Sequence, residues 1–177
     1  MKRFLLLLLA SLFVFPSSAV AQTLKVTGTS LALPNNSRFI VEGMNIEFYR
    51  DSGCSFVTNE QWPLRTQIVA KMKSIGINAV RFNYKYSWLT QSSSNMTQFL
   101  DFMQLFAQNG IYVMPSDHTF TGNTLGNRSS VYSAFSTIIS GAKSRGFEPY
   151  LIMNPYNEPG PNETWATWST ANKDKLN

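Results

Sequence analysis

Tyr150-Leu151-Ile152-Met153-Asn154-Pro155-Tyr156-Asn157-Glu158-Pro159-Gly160 is an apolar run that stops at an Asn-Glu pair. Pro159 and Gly160 then turn the chain away from the strand direction, which is how a carboxylate comes to be presented at the mouth of a parallel sheet. On this reading Glu158 is a catalytic acid. The same residues also fit ordinary turn chemistry, with proline stopping the strand and the glutamate solvated at a helix entrance. The rest of the chain decides between the two.

Upstream, one pattern occurs three times. Leu64, Ile68, Met72 and Ile75 fall on one face of a helix, and Gly76 stands where a C-cap belongs, ahead of Ile77-Asn78-Ala79-Val80-Arg81-Phe82. Phe99, Phe102, Met103 and Phe106 precede Gly110 and Ile111-Tyr112-Val113-Met114. Val131, Phe135, Ile138, Ile139 and Ala142 precede Gly146 and the stretch quoted above. The glycines are 34 and 36 residues apart, the length of a βα unit, and such units build parallel sheets. Before them, Val26, Leu31 and Leu33, the turn signal Pro34-Asn35-Asn36-Ser37 and the run Phe39-Ile40-Val41 predict a short β-hairpin. It leads into a first parallel strand over 41–48 and a loop over 49–59. After Glu158 the pattern predicts a further helix over 162–176, with Asn162 as a cap.

Polar and aromatic residues recur at one place in this repeat. Arg81, Tyr84, Tyr86 and Trp88 lie at or beyond the end of the second strand, Ser116, Asp117 and His118 at the end of the third, and Asn157 and Glu158 at the end of the fourth. In a parallel α/β sheet all strand C-termini open on one face, where ligands bind, so these groups should converge.

The N-terminus reads differently. Lys2 and Arg3, the apolar run from Phe4 to Phe15 and the small residues Ala19-Val20-Ala21 come in the order of a secretory signal peptide over 1–21, cleaved before Gln22. The run is too short to span a bilayer. The mature protein is expected to be extracellular or periplasmic, with no membrane association after cleavage. The formal charge of +5 falls to +3 without Lys2 and Arg3, and the remaining cations are scattered, which argues against nucleic acid as a partner. Cys54 is the single cysteine, so the chain makes no internal disulfide, and no His or Cys cluster suggests a metal. The region Arg50 to Asn59 contains only Gly53, which disfavours a phosphate loop and a doubly wound nucleotide-binding domain.

Asn78-Ala79-Val80-Arg81 on the second strand, His118 after the third and Asn157-Glu158-Pro159 after the fourth together resemble glycoside hydrolase family five, the cellulase and mannanase family of retaining enzymes. Glu42-Gly43-Met44-Asn45 and the hairpin are similar to the start of that domain, so the resemblance runs from about Leu24 to the last residue. It implies an α/β chain that is the N-terminal half of a (β/α)8 TIM barrel preceded by a short β-hairpin. It also implies a secreted β-glycoside hydrolase acting on cell-wall polysaccharides or oligosaccharides such as β-1,4-glucan or mannan, without a cofactor and monomeric at full length.

Carried over by position, the resemblance makes Glu158 the general acid/base and has Asn157 hydrogen-bond the sugar 2-hydroxyl. Arg81 would help hold a nucleophilic carboxylate ionised, and His118 would line the same subsite. Arg81 also reads as a structural ion-pair partner, His118 as a loop histidine satisfied by the backbone, and Tyr84, Tyr86 and Trp88 as packing residues or sugar platforms. The chain departs from the family's usual Asp, variable residue, His by carrying Ser116-Asp117-His118.

Retaining hydrolysis needs one carboxyl group protonated near neutrality and a second, ionised, about 5–5.5 Å away. In the family the second lies at the end of the seventh strand. A whole barrel takes roughly 250 residues, whereas 177 residues less a 21-residue leader leave 156. Residues 22–177 are therefore expected to form about four βα units of a longer enzyme, inactive and aggregation-prone without the nucleophile. The alternative is a non-catalytic secreted carbohydrate-binding protein on the same fold, with sugar affinity and no turnover.

Overall fold

The computed structural model describes residues 23–48, 62–119 and 128–154, together with Asn157. The leader over 1–21, the loop over 49–59, the helix over 162–176 and Glu158 lie outside the described residues.

Two antiparallel strands come first, β1 (Lys25–Thr27) and β2 (Ser30–Ala32). Gly28 takes φ +60° in the two-residue turn between them, which needs positive φ. The turn at Pro34-Asn35-Asn36-Ser37, expected to close the hairpin, is instead the next reversal. There Asn36 has φ +68°, Asn35 Oδ1 accepts from the Ser37 N–H at 3.0 Å, and Ala32 bridges Arg38.

Three parallel strands follow, β3 (Gly43–Glu47), β4 (Ala79–Tyr84) and β5 (Tyr112–Asp117), side by side in chain order. They make the partial barrel expected. Helices lie between and after them: α1 (Arg65–Ser74), behind a 3-10 turn at Trp62–Leu64, then α2 (Tyr86–Gln91), α3 (Ser93–Gln108) and α4 (Arg128–Ser144). The short α2 adds a helix to the expected repeat. It is tied to its neighbour by Asn95, whose Nδ2 donates to the Trp88 carbonyl at 2.7 Å, while Ser92 caps α3 by accepting from the Asn95 N–H.

The repeated glycine has one physical job. Gly76, Gly110 and Gly146 have φ of +89°, +77° and +72°. In each case the glycine N–H bonds the carbonyl three residues back, and the apolar residue after it, Ile77, Ile111 or Phe147, bonds the carbonyl five back. That is the Schellman pattern, which satisfies the last carbonyls of a helix and aims the chain at the next strand.

The segment after Gly146 pairs more sparsely than its apolar sequence suggests. Residues Glu148–Tyr150 form a 3-10 turn with Pro149 in it, and then Leu151 and Asn154 bridge Val113 and Ser116 in parallel. The Ile152 N–H donates to the Val113 carbonyl at 2.9 Å. Pro155 has no N–H with which to extend a ladder.

The core lies between the sheet and the helices. Phe82 is fully buried, with ring centroids 6.1, 5.6 and 5.3 Å from Phe99, Phe102 and Phe106 of α3 and 6.4 Å from Phe48. All four apolar residues expected on α3 are buried. On α1 the expected stripe is only partly right. Val69 and Met72 are buried, whereas Leu64 and Ile75 are exposed, because Leu64 belongs to the preceding 3-10 turn and Ile75 is the C-cap. Helices α3 and α4 approach closely where Gly141 faces Leu100, and a Cβ there would lie 2.5 Å from Leu100 Cδ1.

Phe82→Ala should destabilise the fold by about 3–5 kcal/mol, read as a lower urea midpoint at unchanged slope. A loss below about 1 kcal/mol would mean that α3 does not rest on this face of the sheet.

Candidate active site

Successive side chains on a strand point to opposite faces. Phe82 meets the helices, so Arg81 and Asn83 face inward. The parallel register aligns Asn45, Arg81 and Met114 in one inward row and Glu47, Asn83 and Ser116 in the next, which Asn154 joins through its bridge to Ser116. On the outward face Tyr84 is paired with Asp117.

Arg81 links three segments of the site. It sits in the middle of β4 rather than at its end, and the length of its side chain carries the guanidinium toward the next row. Nη2 donates to Ser116 Oγ at 2.9 Å and to Asn157 Oδ1 at 2.6 Å. Since guanidinium only donates, the Asn157 amide must turn its oxygen to Arg81 and keep Nδ2 as its donor end. Asn157 is buried. Ser116, expected at the strand end with no role of its own, stands next to last in β5. Its hydroxyl is the acceptor that the inward position after Met114 supplies.

His118 follows β5, and its N–H donates to the Tyr84 carbonyl at 2.7 Å. The residues on either side of it form a clasp. Asp117 Oδ1 accepts from the N–H of Thr119 at 2.8 Å and also from its hydroxyl. Thr119 Oγ1 in turn accepts from the Tyr86 N–H at 2.7 Å. The loops after β4 and β5 are thereby held together. Burial pushes the His118 imidazole down to about 4, helped by the charges of Arg81 and Lys85, so the ring is neutral at ordinary pH. Burial also raises the Asp117 carboxyl, against the Thr119 hydrogen bonds that lower it, and holds the Tyr84 hydroxyl well above its usual range.

Arg81, Ser116 and Asn157 are thus in contact, and His118 is close enough to Arg81 to feel its charge. Glu158 lies outside the described residues. Tyr84 is a core residue, and Tyr86 and Trp88 rest partly buried against the same core. A cavity of about 260 Å³ opens on the inward face among Gly43, Asn45, Ala79, Arg81 and Met114. It lies toward the amino ends of the strands, away from the face where parallel sheets bind ligands, and is barrel interior. Among the described residues no three His, Cys, Asp or Glu side chains gather to hold a metal.

The family model described as cellulase, glycosyl hydrolase family 5, matches residues 33–177. Among solved structures the chain is similar to the β-mannanase from Thermomonospora fusca, with a TM-score of 0.58 and 22% identity over 87% of this chain and 49% of that one. It is also similar to a thermostable, highly halotolerant family 5 cellulase from an Icelandic hot spring isolate, with a TM-score of 0.61 and 17% identity over 89% of this chain and 48% of that one. The chain spans about half the length of these two proteins. At such identities the likeness speaks for the fold. No curated protein matches the chain at a significant level.

His118 is the single histidine of the chain, so its imidazole can be followed alone by NMR. It should titrate near pH 4. Lys85→Gln removes one of the two charges that lower it and should move the midpoint up toward the ordinary value of about 6.5. The folded value lies below the unfolded one, so this group's contribution to stability is whole above about pH 6.5 and is lost as pH falls toward 4. A parent midpoint of about 6.5 would contradict the burial of the ring.

Proposed function

The chain belongs to the cellulase family, glycosyl hydrolase family 5, and from that premise we propose that the protein is an exported retaining glycosidase cleaving a β-linked cell-wall polysaccharide, a β-1,4-glucan or a mannan. Glu158 is its proton donor. One observation carries the reading: Arg81, from the inner face of the sheet, holds the side chain of the residue directly before Glu158. That bond ties Asn157 to the inward face of β4, and through Ser116 to the end of β5, on the side where parallel α/β sheets bind their ligands. The names of the two similar structures, a mannanase and a cellulase, support a polysaccharide substrate. The basic, apolar, small-residue order of the first 21 residues supports export.

In this mechanism Glu158 gives its proton to the glycosidic oxygen while an ionised carboxylate from outside the described residues attacks the anomeric carbon. The carboxyl groups stand about 5–5.5 Å apart, which leaves room for a covalent glycosyl-enzyme and none for a water between them. Glu158, now a base, takes a proton from the water that releases the sugar. Arg81 contributes positive charge that favours the ionised state of the nucleophile. Asn157, its oxygen held by Arg81, offers Nδ2 to the sugar 2-hydroxyl. The neutral imidazole of His118 both donates and accepts, which suits an uncharged hydroxylated substrate better than an imidazolium does.

In the whole protein, Glu158→Gln should lower kcat on polysaccharide by about 10²–10⁴-fold while sparing aryl glycosides with good leaving groups much more. Equal turnover of polysaccharide by variant and parent would remove Glu158 from the mechanism. Sugar affinity without turnover in the parent would favour a binding protein on the same fold.

A further inference from the structure

We propose that Glu47 and Asn83 form a hydroxyl-binding subsite on the inner face of the sheet, holding the sugar unit next to the one that Glu158 cleaves. This rests on the glycosidase reading above and adds two residues to it. Glu47 is the last residue of β3, and Asn83 is its register partner on β4. Their neighbours Ile46, Phe48, Phe82 and Tyr84 are buried on the helix side, so both side chains face inward, in the same row as Ser116. That row is one step beyond Arg81 toward the carboxyl ends of the strands.

The chemistry of the pair is one-sided. Glu47 is half-buried, and its carboxylate makes no ion pair or hydrogen bond with a described residue. Asn83 is 5% exposed, and its Oδ1 is closed to bulk water without a hydrogen-bond donor among the described residues. Its carbonyl end and the carboxylate are both acceptors, so the complementary ligand brings donors. A cation is disfavoured because Arg81 stands in the adjoining row and the described residues hold no group of three metal-ligating side chains. A pair of sugar hydroxyls fits, one donating to Glu47 and one reaching past it to Asn83.

Distance assigns the subsite. Adjacent strands are about 4.8 Å apart, so Glu47 on β3 lies on the order of 10 Å across the sheet from Ser116 on β5. Since Ser116 shares Arg81 with Asn157, Glu47 serves a neighbouring ring and not the ring under attack.

The test uses the whole protein with Glu158→Gln to silence turnover, and cellotetraose and mannotetraose as probes in calorimetry. Adding Glu47→Ala should raise Kd for at least one probe by about tenfold or more, the size expected for losing a hydrogen bond to a charged group. Glu47→Gln, which keeps an acceptor, should fall between. In the active parent, Glu47→Ala should raise KM more than it lowers kcat. Unchanged Kd for both probes would overturn the subsite, and a lowered Tm with unchanged Kd would make Glu47 a purely structural residue. If the Glu158→Gln protein binds neither probe, the glycan reading fails and this inference with it.

Discussion

A guanidinium that faces the inside of a sheet is unfavourable to take out of water unless it is given acceptors. Arg81 finds them in Ser116 Oγ and Asn157 Oδ1, and these two bonds connect β4, β5 and the chain beyond Asn154. The constraint works in both directions. It satisfies a half-buried charge, and it leaves Asn157 with a single amide orientation, donor end away from Arg81. Arg81, Ser116 and Asn157 are therefore one hydrogen-bonded group and not separate residues.

The motif Asn78-Ala79-Val80-Arg81 divides into two unlike parts. The Asn78 side chain accepts from the Glu42 N–H at 2.9 Å and donates to the Ile40 carbonyl at 2.8 Å, and its own carbonyl accepts from the Tyr112 N–H. It ties the starts of β3, β4 and β5 together. Three residues on, and on the site side, Arg81 ties Ser116 of β5 and Asn157 to β4. Ala79 and Val80 between them are buried and carry the strand through the core. One short motif thus sets the alignment of the sheet at its base and the acceptors of the site nearer its mouth.

The order Ser116-Asp117-His118 shows what a single step along a strand does. Side chains alternate with a period of two, so Ser116 faces inward to Arg81 while Asp117 turns outward beside Tyr84. A carboxylate at 117 cannot neutralise Arg81. It binds Thr119 instead, and through Thr119 the start of α2, so the acidic residue became part of the loop geometry around His118. The buried Asp117 Oδ2 and Tyr84 hydroxyl have no hydrogen-bond partner among the described residues, in keeping with a carboxyl whose proton affinity burial has raised.

The amino-acid sequence by itself determined the succession of α1, α3 and α4 with the parallel strands, because apolar periodicity and the glycines at 76, 110 and 146 are local properties that each βα unit repeats. It also put Ser116, Asp117 and His118 at the end of β5. It did not separate Leu64 and Ile75 from the buried face of α1, or find the Gly28 turn, since these depend on where a helix actually starts and on which of two adjacent turns closes the hairpin. Only the tertiary structure decided that Arg81 bonds Ser116 and Asn157, that Thr119 joins Asp117 to the start of α2, and that Glu47 and Asn83 share a row. Each of these brings together groups from separate strands or loops, and that alignment is set by long-range packing that no window of sequence contains.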